Sequence, residues 1–130
     1  KVPIVASAVI FDLALGDYRI RPDFNMGYNA AKNANTTENR QGCVGCGMGA
    51  TVGKILGPKN AMKSGLGSAT IEIGELKVSA MVVVNSFGDV YDYKTNKQIA
   101  GVYDYNGKQM LNTLDILKGE YNPVDWSYRN

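Results

Sequence analysis

An α+β domain is the fold class expected here, and three stretches predict it. Residues 68 to 93, "SATIEIGELKVSAMVVVNSFGDVYDY", alternate apolar and polar side chains with the period of half-buried strands. Residues 4 to 11, "IVASAVIF", are apolar and β-branched at successive positions, the pattern of a strand covered on both faces. Phe24, Met26, Ala30, Ala31 and Ala34 recur at helical spacing. The chain has 130 residues, 45% hydrophobic and 20% charged, which suits one domain with a buried core.

Taken in chain order, "IVASAVIF" is expected as a central strand, and "DLALGDYRIRPD" as a turn-rich connection punctuated by Gly16, Asp17 and Pro22. A helix over Phe24 to Ala34 follows and dissolves into "NANTTENRQG". "GCVGCGMGATVGK", residues 42 to 54, has small residues at alternating positions, as in a strand or loop pressed against another backbone. Two strands are expected around Gly74-Glu75, with Ile71, Ile73, Leu76, Val78, Ala80 and Val82 alternating. Asn85 ends that run ahead of a Ser-Phe-Gly-Asp turn. A hairpin then passes through Thr95-Asn96-Lys97, and "QMLNTLDILKG" forms a short helix stopped by Gly119. The tail "EYNPVDWSYRN" has no regular period, and no internal repeat is apparent.

Composition excludes several function classes. Fourteen basic and twelve acidic side chains leave a net charge of +2 with no run of either sign, too weak a field for a nucleic-acid or membrane partner. No apolar stretch approaches the ~20 residues of a membrane helix. Histidine is absent, which removes the usual general base. The chain does not begin with methionine, so a processed or partial polypeptide is expected.

The glycine-rich stretch invites four readings. Cys43-x-x-Cys46 offers two thiolates with no second pair and no histidine, short of a zinc ligand set. A redox dithiol needs a cysteine at a helix N-terminus, and Gly45, Gly47 and Gly49 disfavour a helix start there. Both cysteines are therefore expected to be small buried residues. A phosphate loop needs glycine where Met48 stands and a hydroxyl where Ile55 stands. Lys54 remains, either a polarising group in a site or a surface lysine with a covered stem. Asn85 has a similar choice between aiming its amide at a reacting carbonyl and capping a turn. Asp12 and Asp89, each closing an apolar run, are expected as turn formers.

Together, "VPIVASAVIFDL", "RPDFNMGYNAA", "GCGMGATVGK", "MKSGLGSATI" and "VVVNSFGDV" resemble the L-aminopeptidase/D-esterase (DmpA-like) family, which also contains β-peptidyl aminopeptidases and nylon-oligomer hydrolases. The blocks run in the family's order along nearly the whole chain. The resemblance implies an αββα sandwich of the N-terminal nucleophile type, with residues 1–130 as the C-terminal part of a self-cleaved α chain. Its partners would be an earlier α-chain segment and a β chain whose first residue is a serine or threonine nucleophile. Asn130 would then precede the scissile bond. Asn85 in "VVVNSFGD" matches the oxyanion-hole amide, and Lys54 in "GATVGK" the lysine that hydrogen-bonds and charges the nucleophile's surroundings.

Such a mechanism needs no histidine, because a freed α-amino group with a pKa of about 7.7–8.0 can serve as the base. The implied protein is a cytoplasmic amidase or aminopeptidase, a tetramer of cleaved heterodimers with no cofactor or metal. Its substrates would be amides of L- or D-amino acids, β-peptides or ω-amino acid oligomers. Cys43 and Cys46 depart from the small non-thiol residues commoner in the family. An ornithine acetyltransferase-like acyl transfer and a thiol or metal module on Cys43 and Cys46 are the alternatives.

Overall fold

The computed structural model describes residues 2, 4–5, 7–37 and 39–119. It mixes helix and strand, in the order α1 (Phe24–Asn33), a short 3-10 helix (Gly45–Gly49), β1 (Thr51–Val52), β2 (Met62–Lys63), β3 (Leu66–Ile73), β4 (Leu76–Val83), β5 (Val90–Tyr91), β6 (Gln98–Ala100), β7 (Tyr103–Asp104), β8 (Gln109–Met110) and α2 (Thr113–Leu117). Among the described residues all four strand pairs are antiparallel.

The hairpin β3–β4 is the longest element, and its turn falls at Gly74, whose φ of +60° suits glycine. Directly opposed residues share a face, so the register divides the side chains cleanly. One face carries Gly67, Val82, Ala69, Ala80, Ile71, Val78, Ile73 and Leu76, and is wholly apolar. The other carries a Thr70–Ser79 hydroxyl pair and a Glu72–Lys77 ion pair. The apolar face lies open: Ile71 is 66% and Ile73 70% exposed.

Helix α1 starts where Asp23 accepts a hydrogen bond from the Met26 N–H at 2.7 Å. Phe24 and Tyr28 stack one turn apart on its surface. The strand expected over residues 4–11 does not form among the described residues, where Ile4 and Val9 are more than nine-tenths exposed. An apolar run announces burial, but a central strand also needs a neighbour on each edge, and the described residues supply none here.

A small core holds the remainder together. Ile55, Val102 and Ile116 cluster, with Leu56 and Leu111 against them. Val102 is central: Ala61 bridges to it, and its carbonyl accepts the Leu111 N–H at 2.9 Å. β1, β2, β7 and β8 are thereby linked edge to edge around one buried valine. The hairpin expected at Thr95-Asn96-Lys97 is β5–β6, with Asn96 at φ +53°. β7–β8 repeats it, since "VYDYKTNKQ" (90–98) and "VYDYNGKQ" (102–109) are versions of one unit. In each an aspartate, Asp92 or Asp104, accepts turn N–H groups. The chain does contain an internal repeat, contrary to the expectation above.

Candidate active site

The site is assembled where β1 runs on into Gly53 and Lys54. Gly53 has φ +69°, and a Cβ there would lie 1.9 Å from the Val102 nitrogen and 2.0 Å from the Gly101 carbonyl carbon. Only glycine fits so close to another backbone. The N–H groups of Gly53 and Lys54 donate to the carbonyls of Gly88 and Phe87 at 2.9 and 2.8 Å. Two backbone bonds thus lay the loop after β4 alongside Lys54.

That juxtaposition brings Asn85 to Lys54 across 31 residues of sequence. Lys54 Nζ donates to Asn85 Oδ1 at 2.7 Å and to the Ser86 carbonyl at 3.1 Å. The Thr51 N–H donates to the same Oδ1 at 3.2 Å. An ammonium and a backbone N–H can only donate, so the atom facing them must be the amide oxygen. Flipping the Asn85 amide would set two donors against a third and lose both bonds. The NH₂ group is therefore turned away from Lys54, where no described residue accepts from it. It is not wholly enclosed, since no enclosed side-chain nitrogen or oxygen among the described residues lacks a partner.

Lys54 is half-buried, and burial lowers its pKa from the ordinary value of 10.5. Both acceptors on its ammonium are neutral, and two of its three N–H donors are used. The pair is thus one hydrogen-bonded unit carrying a positive charge and an outward amide donor. Lys54 is thus bonded through its ammonium, and Asn85 bonds across the fold to Thr51 and Lys54.

The other candidates fall elsewhere. Cys43 and Cys46 are free and exposed, not buried as expected: Cys46 lies on the short 3-10 helix, which buries Gly47 instead, and Cys43 lies in the stretch just before it. The Cys43 thiol donates to the Ser64 carbonyl at 3.4 Å, and Cys46 lines a cavity of about 270 Å³ with Leu66, Ser68 and Met81. Among the described residues no group of three or more His, Cys, Asp or Glu side chains is placed to hold a metal. Asp12 forms a turn, its carbonyl accepting the Leu15 N–H at 2.8 Å, while its carboxylate occupies the space a Gly49 side chain would need. Asp89 does more than form a turn: its carboxylate accepts three hydrogen bonds, from Val102 and Thr113. Asn130 lies outside the described residues.

Comparison with known proteins places these residues in context. The sequence model of peptidase family S58 matches residues 1–118. An uncharacterized aminopeptidase of Mycobacterium leprae (strain TN) is 43% identical over 72% of this chain and 26% of its own length. An uncharacterized aminopeptidase of Mycobacterium tuberculosis (strain H37Rv) is 42% identical over 72% of this chain and 25% of its own length. A 6-aminohexanoate-oligomer endohydrolase of Paenarthrobacter ureafaciens is 32% identical over 80% of this chain and 29% of its own length. The chain therefore spans about a quarter of the length of these relatives.

Proposed function

The chain belongs to peptidase family S58, and we propose that it supplies the oxyanion-stabilising part of an amide-bond hydrolase whose nucleophile is the N-terminal serine or threonine of a partner chain. Two kinds of relative support this reading. One set is named for aminopeptidase action and another for hydrolysis of 6-aminohexanoate oligomers, and both reactions break linear amides.

The observation that carries the proposal is the locked Asn85 amide. Attack on an amide carbonyl puts negative charge on its oxygen, and a donor already aimed there stabilises the transition state without reorganising. Lys54 and the Thr51 N–H hold Asn85 Oδ1, so the opposite NH₂ is preset as that donor. Lys54 adds a positive charge in partly desolvated surroundings, where it acts more strongly than in water.

The remaining steps belong to the nucleophile. Its α-amino group takes the hydroxyl proton, the alkoxide attacks the carbonyl, and the protonated amine returns the proton to the leaving nitrogen. Water then repeats the sequence on the acyl-enzyme. Liberation of that α-amino group requires one backbone cleavage of a precursor. The open apolar face of β3–β4 supports an αββα sandwich, in which a second layer covers it.

Hydrolysis of amino-acid anilides and 6-aminohexanoate oligomers by the full-length protein tests the reading. Asn85→Ala should lower kcat by about 10²–10³, the cost of one oxyanion donor. An unchanged kcat in that variant removes Asn85 from the chemistry.

A further inference from the structure

Asp89 lies four residues beyond Asn85, and its carboxylate is fully engaged away from the Lys54–Asn85 pair. Its Oδ1 accepts from the Val102 N–H at 3.1 Å and from the Thr113 hydroxyl at 2.7 Å, and its Oδ2 from the Thr113 N–H at 2.7 Å. We propose that Asp89 is a positioning residue for the Lys54–Asn85 pair, pinning the Asn85 loop to the Gly101–Val102 backbone against which Gly53 is wedged. The proposal rests on Asn85 being the oxyanion donor.

Both halves of the site refer to the same two residues. On the lysine side, Gly53 leaves no room for a Cβ against the Val102 nitrogen, so Lys54 is registered on that backbone. On the asparagine side, Asp89 holds the Val102 N–H and presses so close to Gly101 that a Cβ there would lie 2.2 Å from Oδ1. Val102 itself is fully buried beside Ile55 and Ile116, so close packing fixes this reference point. Between the two anchors the loop is short and internally tied, with the Ser86 hydroxyl donating to the Gly88 carbonyl at 2.9 Å. Moving Asp89 therefore moves the Phe87 and Gly88 carbonyls that hold Gly53 and Lys54.

Thr113 extends the brace to α2. Asn112 caps that helix through the N–H groups of Leu114 and Asp115, leaving the Thr113 N–H to Asp89. The two residues thus divide the helix start, and Asp89 ties it to the site by hydrogen bonds while Ile116 packs α2 against Ile55 and Val102.

The test compares variants of the full-length protein. Asp89→Asn keeps the shape but turns an NH₂ toward one of three donors, so a bond is lost and replaced by repulsion. We expect kcat to fall at least tenfold with KM within twofold. Amide hydrogens of Thr51, Gly53 and Lys54 should exchange faster. Thr113→Val, which removes only the hydroxyl bond, should show a smaller loss of kcat in the same sense.

The double variant Asn85→Ala/Asp89→Asn should lose less kcat than the product of the two single losses, because both act through the Lys54–Asn85 pair. Losses that multiply would overturn the proposal. So would an equal loss of kcat in Asn112→Ala, which removes the α2 cap and a bond to the Tyr91 hydroxyl but none of the three Asp89 bonds. If the unaltered protein hydrolyses no amide, the proposed function fails; the positioning role fails separately if exchange at Thr51, Gly53 and Lys54 is unchanged in Asp89→Asn.

Discussion

Replacing Asn85 by aspartate separates the two tasks of its side chain. The Oδ1 position survives, so the 2.7 Å contact with Lys54 and the 3.2 Å contact with the Thr51 N–H remain available. The Lys54 contact becomes an ion pair, with a Coulomb attraction of about 6 kcal/mol at an effective dielectric constant of about 20. Desolvating the new carboxylate takes back most of that gain, so stability should change by no more than about 1 kcal/mol. The outward NH₂, by contrast, becomes an oxygen. Losing one oxyanion donor lowers kcat by about 10²–10³, and a negative charge facing the developing oxyanion pushes the loss to the upper end or beyond. Urea unfolding and anilide hydrolysis on one preparation of the full-length protein read both quantities. A variant that folds as well as the parent and keeps kcat within about tenfold would refute the assignment.

Gly53→Ala should destabilise the protein by at least about 2 kcal/mol, since the Cβ meets the Val102 nitrogen and the backbone is left-handed; a midpoint in urea within error of the parent would show the wedge to be slack. Burial lowers the Lys54 pKa, so between its folded value and 10.5 the folded state binds fewer protons than the unfolded chain. Stability relative to Lys54→Met should therefore rise with pH across that window, while activity falls as the ammonium is lost; parallel stability curves for the two proteins would contradict this. Cys43→Ser/Cys46→Ser should keep kcat within twofold, because both thiols are exposed and neither contacts Lys54 or Asn85; inactivation would restore a thiol role.

What could be read from the sequence was what depends on near neighbours. The β3–β4 hairpin follows from strict alternation and a glycine able to turn at φ +60°. α1 follows from its apolar spacing, to which the structure adds Asp23 as the cap. β1 and β2 have two residues each, too few for any period to register. The tandem hairpins were recoverable by laying "VYDYKTNKQ" over "VYDYNGKQ", whose differing loop lengths hide the match.

The site resisted for a different reason. Lys54 and Asn85 each stand out in the sequence with two readings open, and the resemblance implies their roles; 31 residues separate them and no local pattern predicts the contact. Asp89 looked like a turn former because its partners, Val102 and Thr113, are 13 and 24 residues away. The exposed cysteines show the converse, where small apolar neighbours imply burial but the 3-10 helix turns Gly47 inward and leaves Cys46 at the surface, with Cys43 exposed just before it.

The central claim is that Asn85 and Lys54 serve a hydroxyl at a newly exposed chain terminus. Intact-mass and peptide mapping of the full-length protein, after reaction with a slowly released acyl ester, tests it most directly. The account predicts two chains, with the acyl adduct on a serine or threonine that begins the second. A single uncut polypeptide that still hydrolyses amides, or an adduct on any other side chain, would contradict it.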